Sequence, residues 1–217
     1  TTDALFSKQR FETFPTFSAD GKMLYFCSAE AKEMPQNFKE IKYSLCAIAF
    51  DPASRTFGQA VDTLFSASKE EKSVSFPRVS PDGKYLMFTV SSYGNFSIWH
   101  KDADLYIYDL MQGTYHDLEN VNSNDVESYH SWSSNGRWFV FSSRRIDGLY
   151  TRPYFAHVAE DGTVGKPFLL PQKEQGFYED LMQSYNIPEF VSGKIDISPR
   201  SLVNAAESQS VGVKMAR

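Results

Sequence analysis

The sequence predicts an all-β protein made of three repeated four-stranded antiparallel units and a short mixed C-terminal tail. Three observations lead to this prediction. A turn dipeptide recurs between apolar runs, the segments around it align without gaps, and two further strand-like runs follow each segment. A chain of 217 residues that is 41% hydrophobic and 15% aromatic is long enough and apolar enough for a packed core.

The repeated segment occurs at residues 14–26, 76–88 and 129–141. Each copy carries Asp-Gly or Asn-Gly, which is a strong signal for a tight hairpin because both residues tolerate positive φ. A serine two positions before the turn can bond the turn backbone. Each copy then ends in an apolar run closed by phenylalanine, which is typical of a buried strand.

Two further strand-like runs follow each repeat, at 43–50 and 61–66, at 105–110 and 114–118, and at 154–158 and 167–170. Four strands per unit at a spacing of about 40 to 60 residues are typical of β-propeller blades. The sequence therefore predicts a partial propeller over residues 1–172. Its blades are expected at about residues 11–68, 73–121 and 126–172.

The repeat resembles that of the TolB-like, WD-type β-propellers. Residues 76–84, Phe-Pro-Arg-Val-Ser-Pro-Asp-Gly-Lys, are a near-ideal copy, whereas the third segment departs at His130, Ser134 and Asn135. The chain is also similar to Gram-negative envelope proteins of this type. The resemblance implies a periplasmic or cell-surface location and a non-enzymatic role in binding an envelope protein, a peptide or another ligand. It leaves open a propeller domain of an enzyme, either the gating domain of a prolyl-oligopeptidase-type hydrolase or a lyase acting on acidic oligosaccharides.

Three blades would make half of a six-bladed ring, and propellers usually have four to eight blades. We expect the ring to be completed either by blades from a longer chain or by a second copy. The start at Thr1, without a methionine or a secretion signal, favours the longer chain.

The tail, residues 173–217, does not continue the repeat and is expected to pack on the blades. A short helix is predicted within 177–184, a strand at 194–198, and a second helix capped by Ser198 with Pro199 in its first turn. Residues 208–217 are expected to be loosely held.

Candidate ligand-binding side chains fall into two groups. In a propeller the first strand of each blade lines the central channel, so we expect channel-mouth contacts from Arg78, His130 and Ser131. Three arginines after the third blade's second strand extend this set because guanidinium groups bind carboxylates well: Arg144, Arg145 and Arg152. The structural alternatives are a packed histidine and arginine ion pairs with Asp147, Glu127 or Asp125.

The second group lies in a polar insertion of the second blade, residues 91–104, and consists of Tyr93, Phe96, Trp99 and His100. Aromatic side chains in loops are candidate binding contacts. Alternatively, this loop caps the edge of the neighbouring blade.

Other sequence features favour binding over catalysis. There is no Gly-x-Ser-x-Gly nucleophile elbow and no metal-ligand spacing among the four histidines. We therefore assign no catalytic residue, metal or cofactor. The net charge of −5 argues against a nucleic-acid partner, and no apolar run approaches the roughly 18 residues of a membrane span. Cys27 and Cys46 are interpreted as buried thiols, with a cross-strand disulfide as the alternative.

Overall fold

The computed structural model describes residues 9–208 of the chain. The first blade is an antiparallel meander whose four strands lie in chain order. Its strands are β1 Arg10–Phe17, β2 Met23–Glu30, β3 Ser44–Asp51 and β4 Thr56–Phe65. The second blade is reached through a single helical turn, α1 Ala67–Glu70.

The second and third blades repeat this order. The second contains β5 Ser73–Val79, β6 Tyr85–Ser91, β7 Asp104–Asp109 and β8 Thr114–Asp117. The third contains β9 Glu127–Trp132, β10 Trp138–Ser143, β11 Arg152–His157 and β12 Phe168–Leu169. The predicted three four-stranded antiparallel propeller blades are confirmed. None of the described residues forms a helix that is both long and apolar enough to cross a bilayer.

The repeated turns form as their chemistry predicts. The Ser18 hydroxyl donates to Asp20 Oδ1 at 2.6 Å, and the Lys22 N–H donates to the same oxygen at 3.1 Å. Gly21 then has a φ of +70°, which glycine adopts without steric cost. The same serine-to-turn bond recurs at Ser80–Asp82 and Ser133–Asn135, so one local device sets the register of all three hairpins.

The first aromatic residue of each repeat has an unusual backbone. Phe14, Phe76 and Tyr129 have φ values of +52°, +53° and +54°, each at a β-bulge in the blade's first strand. Their rings contact one another across the blades, with centroids 4.4 Å apart for Phe14–Phe76 and 4.9 Å for Phe76–Tyr129. The left-handed backbone is sterically costly. We attribute its recurrence to this inter-blade ring contact, which the bulge makes possible by re-aiming the side chain.

The blades pack face to face because side chains alternate along each strand. Even-numbered residues of β6, such as Leu86 and Phe88, pack against the first blade, whereas Met87 packs against Phe139 and Phe141 of the third. The two largest parts of the core therefore lie between blades.

The cysteines are free and buried. Cys27 packs toward the second blade, whereas Cys46 belongs to a separate cluster with Leu24 and Phe26 on the opposite face of the sheet. The disulfide alternative is therefore wrong, because neighbouring strands here direct the two thiols to opposite faces.

The tail differs from the prediction in two places. Its first helix, α2, covers only Phe177–Asp180. It ends at Leu181, whose backbone is extended, and Arg152 donates to the carbonyls of Tyr178 and Leu181. Residues 194–198 form no strand and are exposed. The second helix, α3 Pro199–Glu207, is confirmed, and the Ser198 hydroxyl caps it by accepting from the Ser201 N–H. The expectation for residues 208–217 lies almost wholly outside the described residues.

Candidate functional site

A cleft of about 260 Å³ lies between the insertion of the second blade and the tail. We call it the Trp99 cleft. It is lined by Ile98, Trp99, Tyr129, Arg144, Leu149, Thr151, Ser184, Tyr185 and Asn186. Three separate parts of the chain therefore form it: the loop before β7, the third blade, and the tail.

One side of the insertion packs against the first blade. Tyr93 and His100 lie on that side, whereas Phe96 and Trp99 are exposed. The Tyr93 ring lies 5.6 Å from that of Phe38 and 3.9 Å from that of His100, which is buried. Gly94 donates its N–H to the Ile41 carbonyl at 2.7 Å. Tyr93 and His100 thus cap the neighbouring blade's insertion, as the structural alternative anticipated.

Phe96 and Trp99 instead face solvent, with 78% and 66% of their surface exposed. Trp99 ends a 3₁₀ turn, Ser97–Trp99, whose first residue bonds the Ser128 hydroxyl of the third blade at 3.1 Å. Ile98 packs with Val126 in the small cluster that includes Tyr129. The backbone beneath Trp99 is therefore fixed although its indole ring is exposed.

Arg144 lies beneath that indole. Its guanidinium carbon is 4.5 Å from the Trp99 ring centroid, in a cation–π contact. Nη1 donates to the Ile98 carbonyl at 3.4 Å and Nη2 donates to the Gly148 carbonyl. Only 9% of the residue is exposed, and its Nε–H is buried with no acceptor in the described part of the chain.

The tail forms the far wall of the cleft. The Tyr185 N–H donates to the Thr151 carbonyl at 3.1 Å, and the Thr151 hydroxyl donates to the Tyr185 carbonyl. The Ser184 hydroxyl accepts from the Thr151 N–H at 3.2 Å. These contacts lie in the segment between α2 and α3, which adopts no regular secondary structure.

Arg145, next to Arg144 in sequence, has a structural role. Its Nη2 contacts Glu127 Oε1 at 2.8 Å and donates to the Val121 carbonyl at 2.6 Å. Its guanidinium also lies over the Tyr154 ring, 4.6 Å from the centroid. Burial raises the pKa of Glu127, while donation from Ser123 and the charge of Arg145 oppose that rise. The guanidinium is thus occupied by an ion pair that joins the start of β9 to the chain just after β10, and it is not offered to a ligand.

Arg152 is the anchor of the tail. It is fully buried, and its guanidinium donates to the carbonyls of Tyr178, Leu181 and Gln183. A carboxylate oxygen of Asp147 lies 3.7 Å from Nη2. Arg152 thus shapes the Trp99 cleft indirectly, by holding the tail in place.

The three residues expected at the channel mouth have different surroundings. Arg78 is exposed and lies 3.5 Å from Glu189 of the tail, a solvent-screened pair. His130 is buried between blades, with Nε2 3.1 Å from the Met87 carbonyl. Burial lowers the pKa of His130 to about 3, so the ring is neutral at physiological pH. Ser131 is half-buried in β9, opposite Val140.

Of the predicted site residues, the Trp99 cleft therefore brings together only Trp99 and Arg144. Sequence reasoning missed the lining from Thr151 and from the tail at Ser184 and Tyr185. No local signal marks them, because they meet across more than 30 residues of chain, through hydrogen bonds between side-chain hydroxyls and backbone groups. No three His, Cys, Asp or Glu side chains among residues 9–208 are placed to share a metal ion.

Neither a protein-family model nor a curated protein matches the chain. Among solved structures, it is similar to the β-propeller domain of the Trilobed protease from Pyrococcus furiosus. That match has 17% identity, covers 77% of this chain and 45% of that chain, and has a TM-score of 0.44.

Two other solved structures have comparable likeness. Prolyl oligopeptidase B from Galerina marginata matches at 12% identity over 78% of this chain and 24% of that chain, with a TM-score of 0.48. The oligogalacturonate lyase from Vibrio parahaemolyticus matches at 14% identity over 72% of this chain and 38% of that chain, with a TM-score of 0.44. The chain spans less than half the length of each of these proteins, and at such identity the likeness concerns the fold alone.

Asp104, the first residue of β7, leads to a prediction of how the stability of the protein depends on pH. Burial, and then the charge of Glu127, raise the pKa of Asp104 to about 6. Folding therefore favours its neutral form. The stability this contributes is present below the unfolded value near 4 and is lost as pH rises through about 6.

Asp104→Asn should consequently stabilise the protein at neutral pH by about 1 kcal/mol, a figure reduced for the partial exposure of the carboxyl. Near pH 4 the variant and the parent should be about equally stable. Urea unfolding of both proteins at the two pH values measures this, with Asp161→Asn as an exposed control. A variant that is less stable than the parent at neutral pH would show that the carboxylate is stabilised rather than strained.

Proposed function

We propose that this chain is a non-enzymatic propeller module that binds a protein or peptide partner at the cell envelope. The observation that supports the proposal most directly is the exposed Trp99 ring over the Arg144 guanidinium, at the mouth of the Trp99 cleft. Tryptophan and arginine are the residue types enriched where interfaces concentrate their binding energy. The envelope location rests on the TolB-like repeat.

The surroundings of the cleft also support binding of a partner. Leu149, one of the lining residues, is 63% exposed, so apolar surface continues outward from Trp99. The backbone under Trp99 is fixed by the bond between the Ser97 and Ser128 hydroxyls, so binding would order little additional chain. A pre-formed aromatic surface with a cation at its base suits a partner that presents a short, partly apolar segment.

Site-specific photo-crosslinking tests this proposal. The full chain would carry p-benzoylphenylalanine at Leu149, in the lining of the cleft, and the matched control would carry it at Met111, which is 84% exposed on the turn between β7 and β8. In an envelope extract, we expect a discrete crosslinked partner from position 149 and none from position 111. Trp99→Ala should remove that product.

Equal labelling from both positions, or labelling that persists in Trp99→Ala, would contradict a partner site at the cleft. Turnover of peptides or acidic oligosaccharides by the purified chain would instead favour the enzymatic alternative.

A further inference from the structure

We propose that the Trp99 cleft recognises a carboxylate of the bound peptide, with Arg144 as the group that receives it. This inference rests on the proposed binding function and names the chemistry of its ligand. Its starting point is an uncompensated charge. Arg144 is nine-tenths buried, yet no carboxylate of residues 9–208 lies within ion-pair distance of it.

The contrast with the neighbouring arginines shows why this matters. Buried arginines usually have a charged partner because removing a cation from water is costly. Arg145 has Glu127 and Arg152 has Asp147, whereas the Arg144 guanidinium donates to the neutral carbonyls of Ile98 and Gly148.

The nearest candidate counter-charge is already engaged. Asp147 accepts hydrogen bonds from the backbone N–H groups of Leu149 and Tyr150 and pairs with Arg152. Burial opposes ionisation of Asp147, but these N–H bonds and then the charges of Arg152 and Arg144 lower its pKa. Asp147 therefore interacts with the Arg144 charge at longer range without a hydrogen bond. The Arg144 guanidinium keeps unused hydrogen-bond donors, including the buried Nε–H.

The remaining lining favours a peptide over a hydroxyl-rich ligand. Ile98, Trp99, Leu149 and the Tyr129 ring provide apolar contacts, and the Thr151 hydroxyl is already used by the Tyr185 carbonyl. A cleft of about 260 Å³ has room for about one amino-acid residue. The geometry fits an acidic side chain or a C-terminal residue whose carboxylate reaches Arg144 while its apolar part contacts Trp99.

Short peptides provide the test, with the full chain titrated and the heat of binding measured by isothermal titration calorimetry, a readout that does not depend on Trp99. The probes would be acetyl-Ala-Ala-Leu with a free carboxylate, the same peptide amidated, and amidated acetyl-Ala-Glu-Leu. We expect the two carboxylate-bearing peptides to bind, and the amidated Ala-Ala-Leu peptide to bind about 10- to 100-fold more weakly. Added salt should weaken the first two selectively.

Variants make the test specific to the cleft. Arg144→Met should remove the preference for carboxylate, whereas Arg137→Met, an exposed arginine of the same blade, should retain it. If Arg144→Met proves unstable, Trp99→Ala provides the second variant because its side chain is largely exposed, and it should weaken both acidic peptides.

Glucuronate serves as a sugar-acid comparison in the same titration. Four outcomes would overturn the carboxylate assignment: equal binding of the free and amidated peptides, an unchanged preference in Arg144→Met, tighter binding of glucuronate than of either acidic peptide, or no binding of any probe. Equal peptide binding or an unchanged preference would leave the proposed partner-binding function standing. That function fails separately, when crosslinking at position 149 is no more specific than at position 111.

Discussion

Replacing Arg152 by methionine should release residues 177–190 from the third blade while leaving the three blades folded. Arg152 is fully buried and is the donor to three tail carbonyls, those of Tyr178, Leu181 and Gln183. Methionine fills much of the volume but provides no donor. The freed carbonyls can regain hydrogen bonds from water only if the tail moves away.

The expected cost of this release is about 3 kcal/mol of local stability, which corresponds to roughly a hundredfold faster exchange of protected tail amides. The Tyr185 N–H is the best reporter because it bonds the Thr151 carbonyl across the cleft. Hydrogen exchange followed by mass spectrometry measures the release of the tail. Thermal unfolding measures whether the three blades remain folded.

Two matched variants sharpen this result. Arg152→Lys keeps the charge but cannot span three carbonyls with one ammonium, so its exchange should be intermediate. Arg137→Met on the same blade removes the pair with Glu160 and one hydrogen bond to the Val158 carbonyl, neither of which involves the tail, and should leave tail exchange unchanged. If tail exchange stays slow in Arg152→Met, the tail is held by apolar contacts such as Phe155–Phe190 instead.

The blades were predictable because their signals are local. Ser18, Asp20 and Gly21 form their hairpin from contacts within five residues, and the same pattern recurs in the other two blades, with Asn135 replacing the aspartate in the third. The left-handed backbone at Phe14, Phe76 and Tyr129 was not predictable in this way, since it depends on rings that meet only after the blades have packed.

The candidate site was only partly predictable, as the arginines illustrate. Arg144 and Arg145 are adjacent and chemically identical, yet one lies under Trp99 and the other bonds Glu127. Alternate residues of a strand share one face of the sheet. If the alternation of Phe141 and Ser143 is extended by two residues, Arg145 is predicted on the face toward the second blade. No local sequence pattern indicates that Arg144 lacks a counter-charge. Its absence depends on the partners that Asp147 binds and on the position of the tail in the folded chain.

Removing Glu127 should destabilise the whole protein more than any other change to an ion pair considered for this chain. Its side chain is fully buried, and it accepts from the Ser123 hydroxyl at 2.7 Å, the Ser143 hydroxyl at 2.8 Å and Arg145 Nη2 at 2.8 Å. Glu127→Ala leaves the Arg145 charge and two hydroxyls without their shared acceptor, at a cost of about 3–5 kcal/mol.

A double-mutant cycle in guanidinium chloride distinguishes the ion pair from the surrounding packing. Arg145→Met alone should be costly, but adding it to Glu127→Ala should cost less than the sum of the single changes, because the stranded cation is then absent. Glu160→Ala, which breaks the exposed pair with Arg137, is the control and should cost about 0–1 kcal/mol. Additive costs in the Glu127–Arg145 cycle would mean that the hydroxyl bonds, rather than the charge pair, hold β9 to β10 at this end of the third blade.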